Sequence, residues 1–89
     1  MPKVVITHNV ADVDKWLQFA SERADAIAAL GGSSVVDHVA QDGTNTVAVA
    51  TEVDDVAGLT ATLASPPPEV GAIMEKHGVI PPLTIFVEQ

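Results

Sequence analysis

Eighty-nine residues with four Lys and Arg against twelve Asp and Glu, a net charge of −8, are enough for one domain and no more, residues 1–89. That charge repels phosphate backbones, so the chain is not expected to bind nucleic acid. With no cysteine it forms neither a disulfide nor a thiolate zinc site, and no apolar run approaches the roughly 20 residues of a membrane span.

The 47% apolar content, mostly Ala and Val, is too high for disorder. The chain opens on a short β-rich run instead of a basic stretch with an apolar core, which predicts a soluble cytoplasmic protein. Lys3 to His8, "KVVITH", has the composition of a strand. Asp12 is placed to cap a helix and Asp14 to favour its dipole. Val13, Trp16 or Leu17, Ala20, Ala24 and Ile27 then recur at helical spacing, with Glu22, Arg23 and Asp25 on the solvated face, until Gly31-Gly32 ends the helix.

"SSVVDHVAQ" and "NTVAVATEV" flank Asp42-Gly43 and predict a tight β-hairpin. Asp54 and Asp55 cap a short helix through Val56, Leu59 and Leu63, stopped by Ser65 before Pro66. Pro68 and Glu69 start a second helical piece with Val70, Ile73, Met74 and His77 on one stripe and Gly78 as terminator. After Pro81-Pro82, "LTIFVEQ" reads as the last strand. The order βαββαβ, its second helix broken by prolines, predicts a ferredoxin-like α+β fold: a four-stranded antiparallel sheet in the order 4-1-3-2, helices on one face.

Helices on one face leave the other to alternate to polar residues, and it does not do so cleanly. Val47, Val49 and Val53 oppose Ala48 and Ala50; Leu83, Ile85 and Val87 oppose Thr84 and Phe86; Val4 and Ile6 oppose Val5. Both faces ask for cover, which predicts a homodimer packed sheet to sheet.

The strand ending "VVITHNV", the "DVDKW" helix opening, "EVDD" after the third strand and "MEKHGV…P" before the last resemble small proteins of the dimeric α+β-barrel superfamily. The resemblance covers nearly the whole chain and implies a dimer enclosing a cavity. The superfamily includes antibiotic-biosynthesis monooxygenases that oxidise polyphenols without a cofactor, haem-degrading enzymes, muconolactone-isomerase-like proteins and members of no known activity. It therefore implies fold and assembly before reaction. Those oxygenases use tyrosine in substrate contact, and this chain has none. A cavity of Ala and Val in an acidic chain is also a poor host for haem propionates.

In the 4-1-3-2 order His8, His38, His77 and the helix start carrying Trp16 lie at the same end of the sheet. Hairpin pairing places His38 opposite Ala48 among small side chains, so His38 is expected to face the inter-sheet cavity. His38 and His8 are then the acid–base candidates and Asn9 a donor to a developing oxyanion. Trp16, His77, Ala48 and Phe86 are the substrate-contact candidates. Each has an ordinary alternative: an Asx-turn for Asn9, core packing for Trp16 with its indole N–H partnered at the rim, a helix-end dipole partner for His77. Three histidines on separate elements do not make metal-ligand spacing, and no HExxH, GxGxxG, P-loop or Gly-x-Ser-x-Gly pattern occurs. No metal and no cofactor is expected. Two functions follow: a cofactor-independent enzyme (monooxygenase, isomerase or cyclase type) on a small apolar organic molecule, or a non-catalytic dimer that binds such a ligand or serves a structural role.

Overall fold

The computed structural model describes residues 2–89. Its elements run β1 (Lys3–Val10), α1 (Val13–Gln18), α2 (Ala20–Ala29), β2 (Gly32–Val39), β3 (Thr46–Val53), α3 (Val56–Ala64), α4 (Pro68–Lys76) and β4 (Val79–Val87). The strands form one antiparallel sheet ordered β2-β3-β1-β4, the ferredoxin-like arrangement expected from the βαββαβ order.

Strand alternation sorts the side chains onto two faces. Val4, Ile6, His8 and Val10 of β1 and Val47, Val49, Thr51 and Val53 of β3 are buried beneath the helices. Leu59 of α3 packs on Val4, Ile6 and Val53, and Trp16 of α1 packs on Val10, Val47 and Val49, so the core divides into two clusters. The opposite face carries Val5, Thr7 and Asn9 of β1, Ala48 and Ala50 of β3, Val36 and His38 of β2, and Phe86 of β4. Among the described residues no helix covers it, and Phe86 is 56% exposed and Val36 52%.

Three local features differ from the sequence expectation. The first helix is interrupted at Phe19, where φ is −97° and ψ 17°. The Trp16 carbonyl there accepts from the Phe19 N–H at 3.2 Å and from the Arg23 guanidinium at 3.1 Å, so one tight turn replaces the α-helical bond. The hairpin is longer than a two-residue turn: its ladder closes with Ala40 N–H donating to Thr46 O, and Asp42 Oδ1 accepts from the Thr44 N–H and hydroxyl. Its register is nonetheless the expected one, His38 opposite Ala48. Finally, β4 begins at Val79 and includes Pro81-Pro82. An edge strand tolerates residues that cannot donate, and the β1–β4 register shifts between Thr7 and Asn9 to accommodate them.

The Gly31-Gly32 pair does two jobs. Gly31 takes φ +90° at the helix end, while Gly32 lies so close under α2 that a Cβ would collide with the Ile27 side chain. One extra residue in β2 around Ser34, which has φ 54°, then resets the strand so that Val35 and Asp37 turn toward the helices.

Candidate active site between helices and sheet

Between the two core clusters lies a cavity of about 90 Å³. Ile6, Val49 and Leu83 form its sheet floor, Ile27 and Leu59 its walls, and Val70, Ile73 and Met74 of α4 its cover. One end is polar, made by His8, Trp16, Arg23 and His77. Each arrives there by the periodicity of its element. His8 follows Val4 and Ile6 on the helix-side face of β1. Trp16 ends up there from α1 and Arg23 from α2, three residues before and four after the break at Phe19, and His77 continues the Val70–Ile73–Met74 stripe.

Arg23 organises this end. Its side chain is 7% exposed and holds Asp37 through two bonds, Nε to Oδ1 at 3.1 Å and Nη2 to Oδ2 at 2.6 Å. Nη1 donates to the Trp16 carbonyl and, at 3.4 Å, to His77 Nδ1, and the guanidinium carbon lies 3.8 Å from the Trp16 ring centroid. A buried cation requires such pairing. The expectation of a solvated Arg23 is therefore corrected: Asp37 points inward between Val35 and Val39 and demands a cation, and α2 after the break at Phe19 delivers one. An inward-facing aspartate on an apolar strand was the signal available in the sequence.

The bonds assign both buried histidines. His77 accepts from Arg23 at Nδ1, so Nε2 carries the proton and donates to Glu22 Oε1 at 3.3 Å. Its ring stacks on Phe19, 4.7 Å between centroids and 3° between planes. Burial, together with the Arg23 and Lys76 charges, outweighs Glu22 and lowers its pKa below 6.5. Glu22 is held below its usual range by Lys76, which bonds it at 2.9 Å, and by His77. His8 donates Nδ1–H to the Asn9 carbonyl at 3.0 Å, which leaves Nε2 as a lone-pair acceptor. Burial is again the main cause of its lowered pKa, opposed by the Asn9 bond and aided by the Arg23 charge. His8 meets the Trp16 ring edge-on, 6.2 Å between centroids. The Trp16 indole N–H, expected to find a partner at the rim, is buried with none among the described residues.

The sequence candidates thus separate onto two faces. His8, His38 and His77 are at one end of the sheet, but His8, His77 and Trp16 lie on the helix side, while His38, Asn9, Ala48 and Phe86 lie on the open face. His8 and Asn9 are neighbours in sequence and opposites in space, so one site does not use both side chains. His38 is exposed and donates Nδ1–H to the Val36 carbonyl, and Asn9 Oδ1 accepts from the Thr46 hydroxyl. Among the described residues no cluster of three metal-ligating groups occurs, and no helix is long and apolar enough to cross a membrane.

No family profile matches the chain, and no curated protein matches it. Solved structures do. It resembles the crystal structure of an antibiotic biosynthesis monooxygenase, with a TM-score of 0.63 and 15% identity over 100% of this chain and 97% of that one. It also resembles a candidate antibiotic biosynthesis monooxygenase from Deinococcus radiodurans, with a TM-score of 0.59 and 14% identity over 100% of this chain and 91% of that one. At such identities the likeness establishes the fold alone, the ferredoxin-like α+β arrangement described above.

Proposed function

We propose that the chain binds a small, largely apolar organic molecule in the helix–sheet cavity and acts on it without a cofactor, His8 serving as proton acceptor. The observation that carries this reading is His8 itself: a buried imidazole kept neutral, its Nδ1 committed to a carbonyl and its Nε2 free, lining an apolar cavity. A ligand O–H or acidic C–H delivers its proton to Nε2, leaving a ligand anion and an imidazolium. The Arg23 charge that disfavours the imidazolium also favours the anion formed beside it. The resulting electron-rich anion suits oxygenation, isomerisation or cyclisation, and the fold likeness to antibiotic biosynthesis monooxygenases favours the first.

The active form in this proposal is a homodimer joined through the open sheet faces. Phe86, Val36 and the 46% exposed Ile80 supply the apolar surface that such a contact would bury. His38, Asn9, Ala48 and Phe86 then belong to the interface and not to the proton-transfer site.

The test is a His8→Phe variant, which keeps the ring edge on Trp16 and removes the acceptor. Small neutral phenols are titrated against native and variant protein by following backbone amide NMR signals, and substrate loss is followed in air. Binding should persist in the variant while turnover disappears. Equal turnover in both proteins removes His8 from the chemistry. Binding with no turnover in either leaves a ligand-binding protein.

A further inference from the structure

We propose that α4 is a lid over the cavity and that His77 is its latch, released when the ring takes a second proton. Val70, Ile73 and Met74 line the cavity and are half-buried, and none of the nine residues of α4 is fully buried. A helix that covers an apolar space with side chains only half out of water is held less firmly along its length than one with a buried stripe. Its anchorage is at one end. His77, the residue that caps α4, is 2% exposed and clamped by Phe19, Glu22 and Arg23 at the α1–α2 corner, and Lys76 adds an exposed ion pair to Glu22.

Both ends of α4 suit a hinged element. Pro66 and Pro67 precede it, and Gly78, at φ +74°, follows the latch. The Gly78 carbonyl accepts from the Ala11 N–H at 2.9 Å, which fixes the pivot to the sheet. The cavity is small and partly open to solvent: about 90 Å³ is less than the roughly 150 Å³ of an apolar cavity that takes up benzene. Enclosing a ring-bearing guest beneath α4 therefore requires the helix to move, and the lid, which rests on the function proposed above, serves that site directly.

Protonation acts on the latch through its bonding. Neutral His77 accepts from Arg23, whereas a second ring proton at Nδ1 would face the guanidinium donor. Three charged groups face the ring: Arg23 and Lys76 oppose the added charge, and Glu22 favours it. Asp37 lies beyond Arg23 and is already committed to it. Burial adds its weight against the charge, so protons favour whichever state returns the ring to water.

Trp16 is the one tryptophan of the chain, is fully buried and lines the cavity, so it reports the opening. The experiment is acrylamide quenching of Trp16 by lifetime, read from about pH 8 to about pH 5 across the histidine range, with far-UV circular dichroism recorded at each point. The quenching constant should rise at least about threefold as His77 takes its proton, followed by its ring NMR signals, while the dichroism stays constant. The rise should vanish in His77→Phe, which keeps the stack on Phe19 and cannot be protonated, and persist in His8→Phe. Should His77→Phe fail to fold, Glu22→Gln provides the check, because loss of the carboxylate that favours the charged ring moves the rise to lower pH. A constant that is flat with pH, an equal rise in His77→Phe, an unmoved rise in Glu22→Gln, or a rise that tracks loss of dichroism overturns the latch. None of these readouts needs a ligand, so failure of the latch and failure of the His8 chemistry are separately visible.

Discussion

Replacing Arg23 by Met keeps an unbranched apolar stem and removes the charged guanidinium. Asp37, 13% exposed, is then a carboxylate turned toward the helices with no cation. Breaking a buried pair from one side costs about 3–5 kcal/mol, because the remaining charge is left desolvated. The residual exposure of Asp37 places the loss near the lower end, about 3 kcal/mol. The bonds to the Trp16 carbonyl and His77 and the contact with the Trp16 ring disappear in the same substitution. Because these groups share one network, their contributions do not simply add. A domain of this size has a total stability of roughly 4–13 kcal/mol, so the variant should be marginal, with a midpoint lowered by about 12 °C or more. Urea unfolding of Arg23→Met, Asp37→Leu and the double variant measures the coupling. The double variant should be more stable than Arg23→Met alone, since it removes the stranded charge. If Arg23→Met costs less than about 1 kcal/mol, or the two losses add, the pair does not organise the polar end as described.

Phe86→Glu puts a charge among the exposed apolar side chains of the open sheet face and should convert the proposed dimer to a monomer with unchanged circular dichroism, as read by light scattering on a sizing column; a dimer of native strength would place the contact elsewhere. Stability should also depend on pH in one direction. His8 and His77 both have pKa values lowered from 6.5 in the folded chain, so below that value the unfolded chain binds protons that the fold refuses. Urea midpoints should be level above pH 6.5 with respect to these two groups and fall as the pH drops from there toward their folded pKa values. His77→Phe should flatten part of that fall, and a midpoint that rises on acidification in this window contradicts the neutral assignments.

Element order with right-handed crossovers was enough for the sheet order, and periodicity for the two strand faces and the register of the hairpin. Val/Ile alternation, the Asp12 and Asp55 caps and the glycine and proline stops are local signals, and backbone geometry leaves few ways to satisfy them. Asp12 and Asp55 do accept from the N–H groups of Lys15 and Gly58. The glycine pair after α2 was legible as a stop, but only packing distinguishes Gly31, which needs the positive φ, from Gly32, which needs the missing Cβ.

The site was less legible, because it depends on which side of a sheet a residue takes and what it meets there. His8 and Asn9 read as a pair along the chain, yet the pleat sends them to opposite faces. Arg23 reads as a helix-surface charge until Asp37 is turned inward by the extra residue around Ser34. The sequence by itself determined the elements, their order and an apolar second face, since these follow from short-range geometry and from counting side chains that need cover. Only the tertiary structure decided that the polar end belongs between helices and sheet. There Arg23, Asp37, Trp16 and His77, brought from four elements, must satisfy one another's charges and hydrogen bonds out of water.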